Sequence, residues 1–207
     1  MNLPYKIKTI DDSKEFTLKE KKSTFIAQVY SVSSIDQAED YISKTKKNYY
    51  DASHYCYAFK LPDGTTKYSD AGEPNGTAGV RILNAVEHFD LLNQLVIVIR
   101  YFGGIKLGIG PLGRAYYSAA FKVLNESEIK TKNLFQKIFI TSDMSLNSHV
   151  QRVLSSHHSI IINSEFLSEV RFEYLATVAD MQIISQKLTE ISKNKIKITH
   201  TQEFLYK

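Results

Sequence analysis

The sequence predicts an α+β protein made of two domains, and three observations carry that reading. Apolar residues recur at helical spacing in some segments and alternate strand-fashion in others. A polar stretch at 125–133 has no apolar face and separates two such periodic regions. All nine glycines of the 207 residues lie between Gly64 and Gly113, so the two halves place different demands on the backbone. We set the boundary at residue 130, giving domains 1–130 and 131–207. No repeat of solenoid period and no low-complexity tract stands out.

In the first domain, 24–32 reads as a strand. Ser34 with Gln37 three residues on forms a capping box that opens a helix through Ile35, Ala38, Tyr41 and Ile42. Strands are predicted at 54–61 and 66–68. Ile82, Leu83 and Val86 place a helix at 80–89, the run at 95–101 is a buried strand, and a further helix opens at Pro111, whose fixed φ and missing N–H suit a first turn. In the second domain a strand at 137–143 leads to a helix capped by Ser145 and faced by Leu146, Val150, Val153 and Leu154. Strands follow at 159–166 and 169–178, then a helix capped by Asp180 through Met181, Ile184, Leu188 and Ile191, then a strand at 196–205. The order β-α-β-β-α-β is a ferredoxin-like pattern, with two helices on one face of a four-stranded sheet.

Lys and Arg exceed Asp and Glu by 26 to 22, a net charge of +4 that suits a nucleic-acid or phosphate partner without requiring one. Distribution is more telling. Residues 91–125 hold Arg100, Lys106, Arg114 and Lys122 and no carboxylate, so the local field is positive. Cys56 is the only cysteine, which excludes an intrachain disulfide and points to a reducing compartment. The longest strong aliphatic run, 95–99, is too short to span a bilayer, and the first residues have no apolar signal core. The expected location is the cytoplasm, with no membrane partner.

Eight of the glycines fall in two loops, 70–79 and 103–113, and each loop precedes a predicted helix. A helix N-terminus presents unpaired N–H groups and the positive end of its dipole, so a glycine loop feeding it is a natural anion cradle. Gly76, Thr77, Gly103, Gly104 and Gly108, with Arg100, Lys106 and Arg114, are therefore expected to hold phosphate. The alternative is that the glycines make tight turns and the basic residues are solvated. Gly108, Gly110 and Gly113 match a dinucleotide fingerprint in form only, because residues 103–107 separate them from the strand. Cys56 and His54 share a strand face, yet a lone cysteine among aromatics reads as core. Asp70 and Glu73 could bind Mg²⁺ against a ligand phosphate, or instead act as turn former and ion-pair partner. Tyr101, Phe102, Tyr116 and Tyr117 would stack bases if exposed, and about half of them are expected in the core.

The strings 68–79 (YSDAGEPNGTAG) and 100–116 (RYFGGIKLGIGPLGRAY), with 54–59 (HYCYAF), resemble the signature segments of the YigZ/IMPACT family. That resemblance implies an N-terminal domain like the second domain of a small-subunit ribosomal protein, with a left-handed βαβ unit. It also implies a ferredoxin-like C-terminal domain similar to part of elongation factor G. By position it implies a site at His54, Asp70, Gly72, Glu73, Pro74 and Asn75 together with the basic and glycine residues above. Ala71, Asn75, Val80, Arg81, Pro111 and Gly113 depart from the family pattern. The expected function is a non-catalytic RNA- or ribosome-associated binding protein in translational regulation, with Tyr101 or Phe102 stacking a base and no cofactor. Two alternatives stay open: an enzyme on a phosphorylated metabolite or nucleotide, which would bring in Mg²⁺, and an adaptor for a regulatory protein in a stress response.

Overall fold

The structure, a computed structural model, describes residues 3–193 and 195–207. Among the described residues two five-stranded, mainly antiparallel sheets and five α-helices make an α+β molecule. The chain divides into two compact units, one of residues 7–131 and one of residues 3–6 with 132–207.

In the first unit, β2 (Lys14–Glu20), β3 (Ser23–Ser31), β6 (Gln94–Tyr101), β4 (His54–Lys60) and β5 (Thr66–Ser69) lie side by side in that order. Strand β6 is central and its residues 94–100 are buried, so it reads as a continuous apolar run rather than an alternating one. Alternation still decides which face each side chain takes. Val96 and Val98 pack with Phe25, Cys56 and Ala58 against α2 (Gly79–His88) and α3 (Ile109–Asn125). Leu95, Ile97 and Ile99 pack on the opposite face with Ala38 and Ile42 of α1 (Ile35–Asn48). Ser34 caps α1 by accepting from the Gln37 N–H at 3.2 Å, while the Gln37 side chain reaches the Ser33 N–H at 2.8 Å.

Two strands escape the sequence pattern: β1 (Lys6–Thr9) and β2. Strand β2 is an edge strand of mostly charged residues whose apolar content is Phe16 and Leu18, both only partly buried. The two-lysine turn after it has positive φ at Lys21 and Lys22, 44° and 64°.

The second unit follows β7 (Lys130–Ser142), α4 (Asn147–Ser155), β8 (Ser159–Phe166), β9 (Val170–Thr177), α5 (Met181–Ser192) and β10 (Lys197–Tyr206). The sheet runs β10-β7-β9-β8, with β1 also beside β7. Ile138, Ile140, Phe172 and Tyr174 pack with Val150 and Leu154 of α4 and Ile184 and Leu188 of α5. The polar stretch expected to be a connection enters β7 at Lys130, because a ladder needs backbone partners rather than apolar side chains. Ser145 falls in a 3-10 turn, Met144–Leu146, and makes no cap. Asp180 stands at the α5 N-cap, but its carboxylate accepts from the Thr177 hydroxyl at 2.6 Å instead of from the helix. Among the described residues no helix is long and apolar enough to cross a membrane.

Candidate functional site

The first glycine loop closes on its own carboxylate. Asp70 Oδ1 accepts from the Ala78 and Gly79 N–H groups at 2.9 and 2.8 Å, and Oδ2 accepts from the Gly76 N–H at 2.9 Å. Those are donors that would otherwise meet an external anion at the start of α2, so the chain supplies its own. Burial pushes the Asp70 carboxyl up, but the three N–H groups outweigh it and hold it below its ordinary value. The expected phosphate cradle at Gly76 and Thr77 is thus occupied from within. Thr77 is buried, and its hydroxyl donates to the Pro74 carbonyl at 2.6 Å.

Glu73 and Arg100 form a second internal element. Arg100 lies on the α2/α3 face of β6, its side chain 5% exposed, and its Nη1 donates to Glu73 Oε1 at 2.6 Å. Tyr116 donates its hydroxyl to the same oxygen at 2.7 Å, and Arg100 Nη2 donates to Ser23 Oγ at 3.2 Å. The guanidinium carbon sits 5.3 Å from both the Phe25 and the Phe102 ring centroids. Arg100 is therefore not a surface phosphate contact: a buried Glu73 requires it. Its Nε is buried with no hydrogen-bond partner among the described residues. Asp70 and Glu73, each engaged in this way, do not form a paired metal site, and the described residues contain no metal-binding cluster.

His54 lies beside this pair. Its Nδ1 is 3.0 Å from the Ala71 carbonyl, which can only accept, so Nδ1 carries a proton. Nε2 is then left 3.8 Å from Glu73 Oε2. Cys56 is fully buried and donates to the Asp70 carbonyl at 3.0 Å. Burial pushes its thiol up to about 12, so it is no nucleophile. Burial, with Cys56 and Glu73 close by, likewise raises the Tyr116 phenol far above its ordinary value.

Other residues expected at the site are dispersed. Tyr101 follows Arg100 and so points to the α1 side of the sheet, where its hydroxyl donates to Asp51 at 2.9 Å; it does not join the glycine loops. Gly103 serves close approach, since a Cβ there would collide with the Lys22 carbonyl. Gly72 sits against the His54 ring, and Gly104 and Asn75 are exposed.

Two concave surfaces remain. A cavity of about 370 Å³ is lined by His54, Glu73, Pro74, Arg100, Phe102, Lys106, Leu107, Gly108, Ile109 and Leu112. A groove of about 580 Å³ lies between α2 and α3, lined by Gly76, Thr77, Arg81, Asn84, Ile109, Gly110, Gly113, Arg114, Tyr117 and Ser118. Both meet at the N-terminus of α3, whose N-cap Gly108 provides no side-chain bond. This helix starts at Ile109, two residues before the proline expected to open it. Arg81, Lys106 and Arg114 are exposed and make no ion pair among the described residues. The guanidinia lie along α3: a Cβ on Gly113 would stand 3.4 Å from Arg81 Nε, and one on Gly110 would stand 3.6 Å from Arg114 Nη1. Arg81 and Gly113 thus lie against each other. Sequence reasoning missed the groove as a unit, although Arg81 and Asn84 on α2 and Gly110, Gly113, Arg114 and Tyr117 on α3 have the three-to-four spacing of one helix face.

Residues 21–124, which span both loops and both surfaces, match the Impact N-terminal domain. The chain belongs to the IMPACT family. It is 30% identical over 189 residues to the IMPACT family member YvyE of Bacillus subtilis (strain 168), covering 90% of this chain and 87% of that one. It is 26% identical over 187 residues to the family member YigZ of Escherichia coli (strain K12), covering 88% and 92%. A crystal structure of a hypothetical protein superposes with a TM-score of 0.71 at 24% identity, covering 97% of this chain and all of the other, which shows a shared fold.

Proposed function

We propose that this IMPACT-family protein is a non-catalytic RNA- or ribosome-associated binding protein of translational control, and that the α2/α3 groove is its phosphate-binding surface. The observation that carries this reading is the pair Arg81 and Arg114, two guanidinia that make no ion pair among the described residues and line one groove whose lining has no carboxylate. Guanidinium forks suit phosphate oxygens, and the uncapped start of α3 adds N–H donors and dipole at the groove's end. Tyr117 and Asn84 offer a ring and an amide for an unstacked base. Reading the two units as a ribosomal-protein-like domain and a ferredoxin-like domain agrees with this role. The β10-β7-β9-β8 order, under α4 and α5, supports the second of those assignments. A cytoplasmic location belongs to the same proposal.

Fluorescence anisotropy with a short labelled single-stranded RNA, titrated across salt, tests the reading. Arg81→Ala with Arg114→Ala is expected to weaken binding and to flatten the slope of log K against log salt by about 0.7 for each phosphate no longer neutralised. An unchanged slope would exclude the groove as the RNA surface. An absence of binding by the parent protein would exclude RNA.

A further inference from the structure

The cavity beside Phe102 ends on two acceptors that face each other with no donor between them. Glu73, its side chain 4% exposed, engages Oε1 with Arg100 and Tyr116, and its Oε2 makes no hydrogen bond among the described residues. Oε2 is not one of the polar atoms sealed from solvent, and Glu73 lines the cavity, so this oxygen opens into it. His54, whose Nδ1 proton goes to the Ala71 carbonyl, turns Nε2 and its lone pair toward the same oxygen at 3.8 Å, too far for a hydrogen bond. Both acceptors are preset, the carboxylate by Arg100 and Tyr116 and the imidazole by the Ala71 carbonyl and the Gly72 backbone. A buried carboxylate oxygen left without a donor is costly, and a bound group with two donors would satisfy both acceptors.

The rest of the lining indicates what carries those donors. Arg100 already balances the Glu73 charge and Lys106 lines the same cavity, so an ammonium would be repelled and the donors belong to a neutral group. Phe102 lies against the Arg100 guanidinium yet is 44% exposed, which leaves ring surface for stacking, and Leu107 and Leu112 add apolar wall. A diol would reach both acceptors but has no flat face for Phe102. A heterocycle with a ring N–H beside an exocyclic amino group has both features. Among the nucleic-acid bases that edge belongs to guanine, whereas adenine and cytosine set a ring-nitrogen lone pair beside the amino group, where it would meet an acceptor. A volume of about 370 Å³ accommodates such a ring. We propose that this cavity binds a neutral planar heterocycle of the guanine type, its ring N–H donating to Glu73 Oε2, its amino group to His54 Nε2 and its ring against Phe102. The assignment does not rest on RNA binding at the α2/α3 groove.

Equilibrium dialysis of the full chain against labelled guanosine, a probe without phosphate, tests the assignment. Guanosine is expected to bind about tenfold more tightly than inosine, which lacks the amino group, and than N1-methylguanosine, which lacks the ring N–H. His54→Ala should bring guanosine and inosine to within about twofold of each other and keep the loss on N1-methylation. Phe102→Ala should weaken guanosine by about tenfold and keep its margin over inosine. Arg81→Ala with Arg114→Ala should leave guanosine binding within about twofold, so that failure of this site and failure of the groove are read separately. The proposal is overturned if the parent protein binds no guanosine, or binds guanosine, inosine and N1-methylguanosine alike. A margin of guanosine over inosine that survives His54→Ala would overturn it too. Displacement by single-stranded oligoadenylate carrying one guanine, but not by the same strand with inosine in that place, supports the site and makes its occupant a base of RNA. Displacement by unlabelled guanosine and by neither strand supports it as a site for the free heterocycle.

Discussion

The two glycine loops look alike in sequence and differ in what they hold. Each precedes a helix, yet the loop before α2 turns its N–H groups onto Asp70, whereas the loop before α3 leaves them uncapped. The difference is one carboxylate. A glycine loop at a helix start becomes a ligand site only where the chain does not bring its own anion, and here the acid-free window 91–125 supplies none at the second loop. The first loop is consequently a frame. It positions Glu73 for Arg100, and Arg100 in turn forms part of the wall beside the second loop.

Breaking the frame should give the largest effect. Arg100→Ala strands a buried Glu73 and is expected to cost about 3–5 kcal/mol of stability by denaturant unfolding. A cost below about 1 kcal/mol would mean that the pair is not holding the loops together. Glu73→Gln together with Arg100→Met removes both charges and should recover much of that loss, because burial of an ion pair is rarely better than burial of neutral groups.

The open loop should be sensitive for a different reason. Gly108 has φ 83° and ψ 157°, a region that essentially only glycine occupies. Gly108→Ala is expected to cost about 1–3 kcal/mol of stability, with no buried charge involved and therefore no dependence on pH. Gly103 would be intolerant too, through close approach to Lys22.

At the first loop the cost should be smaller and pH-linked. Asp70→Asn keeps one acceptor oxygen and loses the charge, for about 1–2 kcal/mol at neutral pH. The Asp70 carboxyl is held below its ordinary value, so its contribution is fully present above the unfolded value of 3.8 and is lost as pH falls through the folded one. The difference between parent and Asp70→Asn should therefore close below about pH 3.8. A gap that stays constant to lower pH would show that the three N–H groups do not favour the charged form.

How much of this contrast was legible in the sequence follows from where the information sits. Periodicity placed most helices and the strands after residue 23, since burial of an apolar face sets both pattern and element. It missed β1 and β2 because an edge strand needs few apolar residues, and it missed the strand character of 130–133 for the same reason. The basic residues were visible, but not their fates. Arg100 and Arg114 read alike until the fold puts one under Phe102 and the other along Gly110. Tyr101 was grouped with Phe102 by adjacency, although strand alternation sends the two neighbours Arg100 and Tyr101 to opposite faces. Arg81 stood out only as a departure from a family pattern, and its approach to Gly113 depends on how α2 and α3 pack.

The finest test of the contrast reads local opening rather than global unfolding and uses Cys56 as a reporter. Its thiol is fully buried, donates to the Asp70 carbonyl and is pushed by burial up to about 12, so alkylation at pH 8 requires the first loop to open. The parent protein should react with iodoacetamide very slowly. Asp70→Asn should react faster in proportion to the loop's lost stability, about tenfold for each 1.4 kcal/mol. Arg81→Ala with Arg114→Ala alters only the exposed groove and should leave the rate unchanged. If the groove variant accelerates alkylation as much as Asp70→Asn does, the two loops open together and the division into a closed frame and an open site fails.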